Sequence, residues 1–215
     1  PWLHGRALAR LFAALTAAGG EARIIGGAVR NEIMGEPIED IDLGTTLVPD
    51  EVMRRAAAAG LHPVPTGIAH GTVTVVVDDT PFEVTTLRRD VETHGRHAEV
   101  VFTTDWEADA HRRDLTVNAL SLAPDGRVFD YVGGLDDCRA RRIRFIGDPA
   151  ERMREDYLRI LRFFRIHATY GHGPPDPEGL AAARAEKGGL ARLSAERVQA
   201  ELFRLLAADA RRGGS

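Results

Sequence analysis

Apolar positions change their spacing along the chain, and those changes mark out the elements. Leu8, Leu11, Phe12 and Leu15 recur at helical intervals and predict an amphipathic helix stopped by Gly19-Gly20. Arg23-Ile24-Ile25 reads as a short buried strand entering Gly26-Gly27, with a helix over 29–34 closed by Gly35 and Pro37. Ile41 and Leu43 alternate with Asp40 and Asp42, the period of a strand. An alanine-rich helix follows over 52–59, ended by Gly60. The plainest pattern is a hairpin: a strand over 71–77, a turn at Asp78-Asp79-Thr80-Pro81, and a strand over 82–87.

The 88–98 stretch is charged, carries Gly95 and predicts a mobile loop. Thr104-Asp105-Trp106-Glu107 has capping-box form and opens a helix toward Arg112-Arg113. Short strands are predicted over 128–131 and 142–146, on either side of a Gly133-Gly134 turn. From Asp148 the pattern turns helical. Asp148 suits the N-cap, Pro149 the first turn and Glu151 the third position of a helix running to about Tyr170. Its apolar stripe is Tyr157, Leu161, Phe164 and Ala168. A breaker-rich linker over 171–177 leads to helices near 178–186 and 194–208. The layout is α+β over 1–147 and all-helical over 148–215, with no internal repeat.

Composition narrows the class. The chain has 215 residues, 44% hydrophobic and 28% charged, so a packed core is expected and global disorder is not. No apolar run approaches the length of a bilayer span, and Pro1-Trp2-Leu3-His4 has no signal-peptide form, so no membrane partner is expected. One cysteine, Cys138, makes an internal disulfide and a thiolate zinc site impossible, which fits a reducing cytoplasmic setting. A net charge of -4 argues against a polybasic nucleic-acid coat. Lys187 is the only lysine, and arginine supplies every other basic side chain. High genomic GC content accounts for that bias without invoking function, although arginine is also the better fork for phosphate and base edges.

The first chemical signal is Asp40-Ile41-Asp42. On a strand, residues two apart share a face at roughly 6.5–7 Å. Two divalent ions in a phosphoryl-transfer site lie about 3.5–4 Å apart, so such a pair can bracket them while Ile41 anchors the strand. By itself the pattern also describes solvated edges and turns. Glu83, alternating with Phe82 and Val84, would sit beside the pair if the two strands are neighbours; otherwise it is an exposed sheet-face acid. Gly26-Gly27, between strand and helix, lets backbone N–H groups approach an anion, and Arg30 can add a charged fork. It is not a Walker loop, because no Gly-Lys-Ser/Thr ending follows. His70, His94 and His97 have no metal-ligand spacing.

Gly26-Gly27-Ala28-Val29-Arg30 with Asp40-Ile41-Asp42-Leu43-Gly44-Thr45 resembles the head of class II CCA-adding enzymes and bacterial poly(A) polymerases, the tRNA nucleotidyltransferase family. Further stretches agree in order: His70-Gly71-Thr72-Val73, Glu83-Val84-Thr85-Thr86, the run from Arg112-Arg113-Asp114 to Asn118-Ala119-Leu120, Glu155-Asp156 with Arg159 and Arg162, and Ser194-Ala195-Glu196-Arg197. The resemblance implies a nucleotidyltransferase palm, a mixed sheet with flanking helices, over 1–147, and a helical neck over 148–215 that reads the base. It implies that Asp40 and Asp42 hold Mg²⁺ with Glu83 assisting. Gly26, Gly27 and Arg30 would hold the triphosphate, and Arg113 and Asp114 the ribose and phosphate side. Asn118 would be a structural hydrogen-bonder.

Base choice can be argued from chemistry. Cytosine and adenine present an amino donor beside a ring-nitrogen acceptor, whereas uracil and guanine present the reverse. Asp156 and Arg159, three apart on one predicted helix, therefore complement C and A. Arg162 and Arg165 continue the same face, and at about 1.5 Å per residue they reach toward phosphates. The expected substrates are CTP, ATP and the 3′ end of tRNA, with pyrophosphate released. Poly(A) polymerase, or an enzyme adding CC or A alone, shares every motif; a silent nucleotide- or RNA-binding module is the reading from another class. The family carries a further helical body and tail that grip tRNA. Neither is visible in the sequence, so weak tRNA affinity is expected, and no protein partner can be inferred.

Overall fold

A computed structural model describes residues 2–91 and 99–212. The chain gathers into two compact units. One holds the residues up to Arg112 together with Ala119–Tyr131; the other holds Arg113–Asn118 and the residues from Val132 onward. The sequence pattern divides the chain once, at 147, whereas the units exchange segments. Residues 113–118 and 132–147 gather with the helices rather than with the sheet.

The first unit contains strands β1 (Ala22–Ile25), β2 (Asp42–Thr45), β3 (His62–Gly67), β4 (Thr72–Val77), β5 (Thr80–Thr86), β6 (Arg88–Val91), β7 (Glu99–Phe102), β8 (Ser121–Leu122) and β9 (Val128–Phe129). Seven of them form a mixed sheet in the order β3-β4-β5-β2-β1-β8-β9. β2 and β5 run parallel, and β2 pairs antiparallel with β1 on its other side. Helices α1 (Arg6–Thr16) and α3 (Pro49–Ala58) pack on one face. Leu8, Leu11, Phe12 and Leu15 of α1 are buried, as are Ile24, Leu43, Val73, Val75 and Val84 of the sheet. The opposite face is partly open to solvent, as antiparallel-rich sheets allow, and it carries the acids. A small core covers part of it: Ile25, Leu87 and Trp106, with Tyr131 packed against them.

Several elements depart from the sequence pattern. β3 was not expected; Pro63 and Pro65 disguise it, and they are tolerated because β3 is an edge strand. The hairpin turn is tighter than 78–81. Asp78 and Asp79 both have positive φ, 48° and 61°, the form of a two-residue loop that matches strand twist, so Thr80 and Pro81 join β5. Part of the expected loop is an antiparallel ribbon of β6 and β7, closed by backbone pairing that charge content does not reveal. Residues 92–98, with His94 and His97, lie outside the described residues. Asp105, not Thr104, caps helix α4 (Trp106–His111), accepting from the N–H groups of Glu107 and Ala108 at 2.9 and 3.1 Å. Helix α2 (Gly27–Met34) follows the glycine turn.

The second unit is helical: α5 (Gly134–Arg139), α6 (Pro149–Glu155), α7 (Leu158–Tyr170), α8 (Pro177–Glu186) and α9 (Ala195–Arg212). Where a strand over 142–146 was expected there is one bridge, Leu115 to Phe145. Arg142 and Arg144 alternate with buried Ile143 and Phe145 because both reach a buried carboxylate, Asp137, and not because they line a sheet. The expected continuous helix over 149–170 breaks at Asp156, whose φ of -153° and ψ of 107° are extended. The break re-aims the apolar stripe of α7. Ile160, Phe163 and Ile166 are buried, in place of Tyr157, Leu161, Phe164 and Ala168. Phe163 packs against Phe145 at 5.4 Å between ring centres.

Candidate active site

The acids sit where the parallel pair β2–β5 begins. Asp42 and Glu83 are register partners across that pair, so their side chains leave the same face, and both are exposed. Asp40 lies two residues before β2 rather than on it. The alternation nevertheless continues outward, with Asp40 exposed, Ile41 half-buried, Asp42 exposed and Leu43 buried. A cavity of about 680 Å³ opens here, lined by Glu39, Asp40, Asp42, Thr74, Thr80 and Glu83 among others, the size of a small-ligand site. Glu39 and Thr74 escaped the sequence reading. Thr74 could have been found as the antiparallel partner of Glu83 in the hairpin.

The donor set is entirely hard oxygen, which suits magnesium or another hard divalent cation. Among the described residues no three of His, Cys, Asp or Glu converge on one point. That is compatible with such an ion, because magnesium commonly takes one or two carboxylates and completes its shell with water and substrate phosphate.

On the far side of β2 from β5, β1 runs into the glycine turn. Gly26 has φ 67° and ψ -124°, a conformation open to glycine and strained for other residues. Its N–H donates to the Leu120 carbonyl at 3.1 Å. Gly27 is less constrained: an added Cβ would touch Arg30 Nη2 at 3.5 Å, an ordinary contact. Arg30 is buried, and its Nε and Nη2 donate to Asn31 Oδ1 at 3.0 and 2.9 Å. Asn31 Nδ2 donates in turn to the Pro37 carbonyl at 2.6 Å, three residues before Asp40. The carboxamide offers an acceptor and a donor at once, which a carboxylate does not.

The second unit carries the other candidate arginines, Arg113, Arg159, Arg162 and Arg165. Asp114 is buried, and its oxygens accept from the Leu115 N–H at 2.9 Å and Arg162 Nε at 2.7 Å. Burial pushes the Asp114 carboxyl up; the charge and hydrogen bond of Arg162, the Leu115 N–H and the charge of Arg159 outweigh it and hold it below the usual range. Arg162 is raised in return, although burial opposes this. Arg113 Nη1 donates to the Asn118 carbonyl at 3.3 Å. Arg165 Nε meets Glu201, a buried acid of α9, at 2.5 Å. Arg162 and Arg165, expected to reach phosphates, thus each have a carboxylate on Nε.

The expected Asp156–Arg159 face is also rearranged. Asp156 stands before α7, accepts from the Leu158 N–H at 3.1 Å through Oδ1, and pairs with Arg197 of α9 at 2.8 Å through Oδ2. Arg159 pairs with Glu155 and donates to the Arg152 carbonyl at 2.9 Å. The two side chains are three residues apart in sequence and bonded to different partners. Arg197 and Glu155 belong to stretches the sequence reading quoted but gave no role; Glu201 carried no signal beyond its helical spacing.

Comparisons with known proteins identify the family and the fold. The family described as Poly A polymerase head domain matches residues 22–144. The mitochondrial CCA tRNA nucleotidyltransferase 1 of Danio rerio is 47% identical over 189 residues, which cover 86% of this chain and 44% of that protein. The CCA-adding enzyme of Bacillus subtilis is 40% identical over 200 residues, covering 92% and 49%. The Bacillus stearothermophilus CCA-adding enzyme, solved in complex with CTP, superposes with a TM-score of 0.82 and 35% identity over 91% of this chain and 47% of that one. The chain spans about half the length of the curated relatives it matches. Among the described residues no helix is long and apolar enough to cross a membrane. With a mixed sheet, paired strand acids and a glycine turn in the matched region, the chain belongs to the class II CCA-adding enzyme and poly(A) polymerase family, of which it carries the head domain.

Proposed function

We propose that this chain transfers nucleotides without a template, adding C and A to the 3′ end of tRNA from CTP and ATP with release of pyrophosphate. The observation that carries the reading is the exposed register pair Asp42 and Glu83, beside Asp40 and opening on one cavity. Asp40 and Asp42 are the proposed ligands of Mg²⁺, with Glu83 assisting as the third catalytic carboxylate. Magnesium bound there would neutralise the triphosphate and favour in-line attack by an RNA 3′-hydroxyl on the α-phosphate. The backbone of Gly26 and Gly27 and the guanidinium of Arg30 grip the triphosphate.

From the second unit, Arg113 meets the phosphate side, and Asp114 accepts from the ribose 2′-hydroxyl. Each Asp114 oxygen has a second lone pair beyond the bond it already receives. Asp156 accepts from the amino group shared by cytosine and adenine, and Arg159 donates to the neighbouring ring nitrogen. Arg162 and Arg165 use Nε for Asp114 and Glu201, which leaves their Nη groups as the donors a phosphate takes. Residues 148–215 serve as the base-reading neck. The setting is cytoplasmic, where tRNA, triphosphates and a reduced Cys138 coexist.

The match to the Poly A polymerase head domain favours one second reading, the addition of A alone in long tails. Incubating the protein and Mg²⁺ with tRNA lacking its 3′ end and each labelled triphosphate separates the readings. C followed by A is the expected result. Long A tails mean a polymerase, a single A or CC means a partial enzyme, and binding with no transfer means a silent module.

A further inference from the structure

Asp137 is completely buried, yet nothing in the proposed chemistry uses it. Its Oδ2 accepts from the Thr116 hydroxyl and from Arg144 Nε, both at 2.6 Å, and its Oδ1 from Arg142 Nε at 2.7 Å. These donors come from two backbone segments that run side by side. The Thr116 N–H donates to the Arg144 carbonyl at 3.1 Å, the Ile146 N–H to the Asp114 carbonyl at 3.0 Å, and Leu115 bridges Phe145 between them. One carboxylate therefore fastens both sides of a short ladder, and Asp114 stands at its end.

Burial pushes the Asp137 carboxyl up, and the bonds from Thr116, Arg144 and Arg142 pull it below the usual range, so it is charged when it holds them. A charged acceptor makes shorter and stronger bonds than a neutral one. Thr116 is itself 2% exposed, so its hydroxyl is shielded from bulk water. The hydroxyl is thus the side-chain link that ties the Asp114 segment to the buried acid.

We propose that Thr116 and Asp137 are positioning residues that act through Asp114 to set the preference for ribonucleotides over deoxyribonucleotides. The proposal rests on reading Asp114 as the acceptor of the 2′-hydroxyl. A hydrogen bond to that hydroxyl discriminates only while the carboxylate is held in place; a shift of about 1 Å costs up to about a hundredfold in rate. A deoxyribonucleotide makes no such bond, so it loses less than a ribonucleotide when Asp114 moves.

The experiment compares kcat/KM for CTP and dCTP in the full chain and its variants, with trimmed tRNA as acceptor. Thr116→Val keeps the shape and removes the hydroxyl. Its CTP:dCTP ratio is expected to fall about tenfold or more, because CTP loses more than dCTP. Thr116→Ser restores the hydroxyl and should recover the ratio. Arg144→Met removes a second of the three donors without touching the buried threonine and should lower the ratio in the same sense, which covers a valine variant that fails to fold. A purely structural role would lower both nucleotides equally and leave the ratio in place; that result, in folded variants, overturns the inference. A wild-type chain that transfers CMP with no preference over dCMP also overturns it. A wild-type chain that transfers neither overturns the reading of the site beneath it.

Discussion

Asp42 illustrates how exposure separates chemistry from stability. Its carboxylate stands on the open face of the sheet, while Leu43 beside it is fully buried and holds the strand. Asp42→Asn should reduce nucleotidyl transfer by about 10²-fold or more, the scale of losing one electrostatic group at a reacting centre. Its thermal midpoint should stay within about 2 °C of wild type, since surface changes are near neutral. Pyrophosphate release and thermal melting check both halves. Asp114 is the opposite case. Arg162→Met leaves a buried carboxylate without its strongest partner, and should cost about 1–3 kcal/mol in urea unfolding.

At the scale of elements, Gly44 shows what a sheet face demands. Its φ is unremarkable, but a Cβ would lie 3.0 Å from Ile25 Cγ2, 3.1 Å from Trp106 Cζ3 and 3.3 Å from Leu87 Cδ2. Gly44→Ala should therefore cost about 1–3 kcal/mol through overpacking, read as a lower urea midpoint. The elements that were legible in sequence are those with one strong local signal. The α1 stripe, the β4–β5 alternation and the Asp148 cap are of this kind. Those that were not depend on distant partners. The break at Asp156 looks like helix interior until Arg197 and the Leu158 N–H are seen to claim both its oxygens. In α7, Phe163 and Phe164 are equally apolar, and it is Phe163 that packs against Phe145 and Gly179 and is buried.

Across the whole molecule, two buried carboxylates tie stability to pH. Asp114 and Asp137 both titrate below the ordinary carboxylate range in the folded chain. Their contribution is complete above about pH 5, where the unfolded carboxyl is already charged, and is lost as pH falls through the lower folded values. The urea midpoint should be flat from about pH 7 to pH 5 and should drop on further acidification. Replacing Asp137 by asparagine should flatten that acid limb. For the candidate site, the motif residues were legible because chemistry restricts them. Their partners were not: Glu201, Arg197 and Asn31 matter only through what they touch.

The interleaving of the two units sets synthesis against folding order. The segment 113–118 leaves the ribosome before 119–131 can add β8 and β9 to the sheet, yet its own ladder partners at 144–146 are still untranslated. A nascent chain must therefore hold six residues in reserve, lying in sequence between two stretches of the other unit. Genes cut at a single point between these stretches should yield fragments that recover their structure only when recombined.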